Sequence, residues 1–160
     1  MMNAMAQSSR SARRGAAPSE IARFAASRLR GDTRIAAFSL AGFDTHARQD
    51  RSLPRALDRL TEAVLTLEEG LGPVWEKTAL VAVTEFGRTA RLNGSGGTDH
   101  GTAGAMILAG GALRGGRVIA DWPGLGEADL YQRRDLRPTR DLRAHLAWML
   151  RPMFGISQAD

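Results

Sequence analysis

The sequence predicts an α/β fold built on a parallel sheet, and three observations predict it. Residues 34–41 and 78–84 are short apolar runs bounded by turn residues, the way strands buried on both faces read. Between them, Leu53, Leu57, Leu60, Val64, Leu67 and Leu71 recur at steps of four and three, the period of a helix with one apolar face. Strand, helix and strand within about fifty residues make a βαβ unit, whose two strands run parallel.

The elements follow in chain order. Residues 1–17 are rich in Ser, Ala and Arg without apolar period and read as a disordered basic tail, leaving 18–160 as the α/β domain. Pro18 and Ser19 open a helix, Glu20 suits its first turn, and Ile21, Phe24, Ala25 and Leu29 share a face. Gly31-Asp32 ends it. The first strand, 34–41, runs into Gly42, Phe43 and Asp44-Thr45-His46. Helix 53–71 stops at Gly70 and Gly72-Pro73. The second strand, 78–84, ends at Glu85-Phe86-Gly87-Arg88, and Arg91 to Gly101 form a glycine-rich loop. Residues 105–109 suggest a third strand and 117–120 a hairpin arm or edge strand. Residues 139–151 suggest a last helix with Leu142, Leu146, Trp148 and Leu150 apolar.

Composition narrows the function classes. The chain has 160 residues, enough for one domain with a core, and no cysteine, which removes disulfides, thiolate metal sites and Cys nucleophiles together. Its net charge of +5 is carried mostly by scattered Arg, with no compact basic stripe beyond the tail, so no specific nucleic-acid partner is expected. No stretch approaches the ~20 apolar residues of a membrane helix. Arg13-Arg14 hints at a twin-arginine export signal, but Glu20 and Arg23 interrupt the segment that follows, and the compartment stays open.

The residues able to do chemistry gather at the expected strand ends. Parallel strands place their C-terminal ends at one edge of a sheet, where open α/β folds bind ligands, so Asp44 and Glu85 are expected to meet there. Asp44 and His46 are two residues apart, and in extended backbone such residues point the same way. The plainer reading is a turn-capping Asp44 with a solvated His46. Glu85 closes an apolar run and needs a cation or donors; Arg88 is its plain structural partner. If Glu85 instead binds metal, Arg88 is free to clamp an anionic substrate by a bidentate contact. Asp99 and His100 lie among Gly94, Gly96, Gly97 and Gly101, in a loop that is either a flexible surface segment or a backbone able to approach a ligand closely. His145, on the last helix, reads as a packing or surface residue. Asp44, His46, Glu85, Asp99 and His100 are thus the candidate metal ligands and Arg88 the candidate catalytic group. Carboxylates and imidazoles without thiolate suit zinc, manganese, iron or calcium. There is no P-loop, no GxGxxG after a strand and no GxSxG elbow.

The strings GFDTH (42–46), TEFGRT (84–89), NGSGGTDHGTA (93–103), GGALRGGRV (110–118), DWPGL (121–125) and RDLRPTRDLR (134–143) resemble a large bacterial family, domain of unknown function 1501. That family is similar to the alkaline phosphatase and sulfatase superfamily, which hydrolyses phosphate or sulfate esters with one or two metal ions and a Ser, Thr or modified Cys nucleophile. The resemblance implies a parallel-sheet sandwich like the C-terminal part of an alkaline-phosphatase-like fold. It implies a divalent metal, zinc foremost, with Asp44, His46 and His100 on the first ion and Glu85 at a strand end where the superfamily has an Asp. Phe86 stands where the superfamily has a His, which puts a complete second metal site in doubt. The superfamily's first metal Asp and its nucleophile fall N-terminal to everything here, so the chain aligns with the C-terminal part of the family. The functions implied are a metal-binding domain of an ester-hydrolase-like protein or a non-catalytic binding or assembly module. An exposed sheet edge would then favour self-association. Family members are typically exported to the periplasm.

Overall fold

The computed structural model describes residues 17–157; the expected basic tail lies outside it except for Ala17. Helix α1 spans Pro18–Leu29. Pro18 at its first position costs no hydrogen bond, and the Glu20 side chain accepts from the Ala17 N–H at 3.1 Å. Helix α2 spans Gln49–Leu71, four residues longer at its start than the leucine period predicts, with Pro54 inside. A 3-10 turn, Gly72–Lys77, leads into strand β1, Leu80–Ala82. Strands β2 (Gly87–Arg88), β3 (His100–Gly101) and β4 (Ile107–Ala109) follow, and helix α3 spans Leu142–Phe154.

The core is a helix pair. Ala22, Ala25 and Ala26 of α1 pack on Ala63, Leu67 and Leu71 of α2, with Leu29, Leu40, Trp75 and Leu80 closing the sides. Small residues let the two backbones come close: a Cβ on Gly70 would lie 2.9 Å from the Ala26 Cβ. The buried face of α1 is therefore the alanine face. Phe24, expected inside, is 62% exposed, its ring 5.2 Å from the Arg28 guanidinium carbon.

The expected parallel sheet is not what forms. Strand β1 pairs with β4 antiparallel, with Leu80 opposite Ala109 and Ala82 opposite Ile107. Strands β2 and β3 make a second antiparallel pair, Gly87 opposite Gly101 and Arg88 opposite His100. The architecture is mixed α/β with two small antiparallel sheets and three helices. Residues 34–41 carry no strand, and neither does 117–120. A strand exists by pairing, and an apolar run without a ladder partner is not one. Ile35 (68%), Ile107 (49%) and Leu108 (40%) remain exposed, so the β1–β4 ribbon has apolar surface uncovered. Helix α3 begins three residues later than expected because Asp141 caps it, accepting the Arg143 N–H at 2.9 Å. None of the described helices is long and apolar enough to cross a membrane.

Candidate metal centre

The site is assembled from the first residue of α2 outward. The Arg48 and Gln49 N–H groups, orphan donors at a helix start, are taken by the Ser95 and Gly96 carbonyls at 3.1 and 2.8 Å. Ala47 bridges Gly96, and the Thr98 N–H donates to the Thr45 carbonyl at 3.0 Å. The glycine-rich loop is thereby laid against residues 45–49. Only glycine fits at its closest approach: a Cβ on Gly97 would stand 2.2 Å from the His46 carbonyl carbon. Behind the contact, the buried Thr45 and Thr98 hydroxyls both donate to Gln49 Oε1, at 2.7 and 2.6 Å.

Three atoms able to ligate a cation converge in front of this framework. Asp44 Oδ1 lies 3.0 Å from His46 Nε2 and 2.9 Å from His100 Nε2, and the two Nε2 atoms are 3.1 Å apart. On its other edge the His46 ring places Nδ1 3.0 Å from Asp99 Oδ1. A carboxylate accepts, so Nδ1 carries a hydrogen there, and in the neutral ring Nε2 keeps its lone pair for the triad. In the metal-free protein a hydrogen on His100 Nε2 donated to Asp44 satisfies this contact, and a cation that displaced it would meet the carboxylate oxygen and both Nε2 lone pairs. Ligand bonds of roughly 2.0–2.2 Å at tetrahedral angles put the ligand atoms of a zinc-sized ion ~3.3–3.6 Å apart, so the three atoms need open by only a few tenths of an ångström to take one. The donor set and its spacing fit a divalent cation, as does the carboxylate behind His46. The side chains of Asp44, His46 and His100 are 64%, 46% and 51% exposed, so the outer face is open to water or a substrate atom.

Around the triad, each neighbour has a definite task. Arg88 donates to Asp44 Oδ1 at 2.6 Å, to Thr98 Oγ1 at 3.0 Å through Nε, and to the Thr98 carbonyl through its remaining nitrogen. That guanidinium, followed by His100, holds the Asp44 carboxyl down to about 2. The His46 ring, then the Asn93 amide, lowers Asp99 below its ordinary value. The Phe86 ring lies against His100, centroids 4.2 Å apart, and offers no ligand atom. Arg134 donates to the His100 carbonyl at 3.3 Å and, through Nε, to the buried Asp135 at 2.7 Å.

The expected site residues separate accordingly. Asp44, His46 and His100 come together as a possible metal-binding group. Asp99 touches His46 from behind, and its carboxylate pairs with His46 rather than with the adjacent His100. Glu85 sits exposed in a bend after β1, outside the triad, and among the described residues it makes no ion pair, with Arg88 or any other partner. The topological reason for expecting it is gone, because 34–41 forms no strand and β1 pairs with β4 instead. Arg88 reaches the site, with all three nitrogens engaged by Asp44 and Thr98. Asn93, Thr98, Gln49 and Arg134 were not singled out from the sequence. The one available signal was Asn93 at the head of a glycine-rich loop, the residue type that accepts backbone N–H bonds in turns.

No similar protein was found among curated sequences, and none among solved structures. The family described as Protein of unknown function (DUF1501) matches residues 2–156. With nearly the whole length matched and the GFDTH and TDHGTA motifs supplying the three converging side chains, the chain belongs to the DUF1501 family.

Proposed function

We propose that this chain binds one divalent cation through Asp44, His46 and His100, in a site of the phosphate- or sulfate-ester hydrolase type. The observation that carries the reading is the convergence of three atoms able to ligate a cation, with Asp99 holding the rear nitrogen of His46. Zinc suits the imidazole-rich donor set best, with manganese, iron and calcium as alternatives. A bound cation would supply Lewis-acid polarisation of an ester oxygen. The chain's own residues do the rest. Arg88 fixes the Asp44 carboxylate, Phe86 and Arg134 hold His100 in place, and the open outer face admits an anionic ester. The similarity to alkaline phosphatases and sulfatases belongs to this reading.

The experiment is metal content by mass spectrometry after purification without chelator or His-tag. Near-stoichiometric metal in the wild type, lost in His46→Ala and His100→Ala, is the expected result. Equal content in all three proteins removes the assignment. Hydrolysis of an aryl phosphate or sulfate ester, abolished by His46→Ala, tests the enzymatic half separately.

A second reading, a binding or assembly module that keeps the fold and the metal, is favoured by two observations. Among the described residues, no Ser or Thr hydroxyl is hydrogen-bonded to the triad, and the Thr45 and Thr98 hydroxyls point to Gln49. The apolar residues left exposed on β4 and on 34–41 suit self-association. Metal without turnover, together with a dimer in light scattering, would select it.

A further inference from the structure

Asn93 uses all four of its side-chain hydrogen-bonding positions around the metal-binding histidine. Its carbonyl oxygen accepts from the Ser95 N–H at 2.9 Å and the Gly97 N–H at 3.1 Å. Its amide nitrogen donates to the His46 carbonyl at 2.9 Å and to Asp99 Oδ1 at 3.0 Å. The first two bonds shape the loop. The second two act on His46 twice, once through its backbone and once through the carboxylate that receives its Nδ1–H. The Asp99 backbone is anchored separately, by the exchange with Thr89 at 2.9 and 3.1 Å. Its carboxylate is exposed, and among the described residues its side-chain hydrogen-bond partners are His46 and Asn93.

We propose that Asn93 is a positioning residue. Through Asp99 it keeps His46 in the Nδ1–H tautomer, with Nε2 bare toward Asp44 and His100. The inference rests on the metal reading for its purpose but on the metal-free geometry for its substance. Without the Asn93 amide, the exposed Asp99 carboxylate turns to solvent, and a neutral imidazole then reverts toward its intrinsic preference for Nε2–H. That tautomer points a hydrogen where a cation would bind. Loss of a group behind a metal-binding histidine typically weakens affinity by about 10–100-fold.

Two variants divide the roles. Asn93→Ala removes all four bonds. Asn93→Asp keeps acceptors for the Ser95 and Gly97 amides and removes the two donors. The deciding readout is the His46 tautomer by nitrogen-15 NMR on metal-free protein, at a pH where the imidazoles are neutral. The wild type is expected to show Nδ1–H, and both variants a shift toward Nε2–H. Zinc affinity of Asn93→Ala is expected to fall by ~10–100-fold. If Asn93→Asp keeps the wild-type tautomer, Asn93 merely caps the loop and the proposal is overturned. An Nε2–H signal in the wild type overturns it as well. The NMR result stands whether or not metal binds, so failure of the metal reading and failure of this one are told apart.

Discussion

The helix pair and the candidate metal centre share one helix and are held together by opposite means. At the C-terminal half of α2, Ala63, Leu67 and Leu71 lie against the alanines of α1, and apolar burial does the work. At its N-terminus, roughly 21–33 Å away along the helix, Gln49 collects the Thr45 and Thr98 hydroxyls, and the loop is fixed by hydrogen bonds and glycine contacts. The two regions are therefore fragile in different ways. Packing of small apolar groups tolerates exposed neighbours such as Phe24. A polar lattice built on close backbone approach tolerates almost no added atom. Substitutions in the helix pair should therefore register in stability, and those in the candidate metal centre in geometry.

The largest effect expected is at Gly97. In Gly97→Ala, the new Cβ would meet the His46 backbone at 2.2 Å, so the loop must move and the triad with it. Metal content should drop to background while helical circular dichroism stays near wild type; retained metal would show that the loop yields to an added Cβ.

Leu71→Ala addresses the other region. Leu71 is 1% exposed, and its truncation should cost about 2–5 kcal/mol in denaturant unfolding. Metal stoichiometry under native conditions should be unchanged. Leu60→Ala sharpens the point on the same helix. Leu60 is half-buried rather than packed under a sheet, so roughly 1 kcal/mol is expected. Equal costs at the two positions would mean that a face of α2 open here is covered in solution.

The smallest effect is expected at α3, which belongs to neither region. Arg143 holds the Asp141 carboxyl at about 2, down from 3.8. A lowered folded value means that its capping contribution is complete above the unfolded value and fades as pH falls from there through about 2. Helicity of α3, followed by circular dichroism, should decline across that acid window in the wild type and be flat there in Asp141→Asn. An identical acid profile in both would remove Asp141 as the cause.

Periodicity and residue chemistry in the chain itself determined a good deal. The leucine spacing fixed the existence of α2, Pro18 and Glu20 fixed the start of α1, and the two histidines in Asp-bearing motifs marked the triad. Each of these is a local property: helical period repeats within one segment, and ligand chemistry belongs to side chains. Which strands pair, and in which direction, was decided only by tertiary structure, because pairing depends on partners distant in sequence. That is why 34–41 looks like a strand and is none, and why Glu85, expected beside Asp44, stands apart. The triad formed all the same, by another route: the antiparallel β2–β3 pair carries His100, and the Gly97 contact seats the loop beside His46. Asn93 and Gln49 acquire their roles from those contacts, since an amide has no assigned partner until the fold brings donors and acceptors to it.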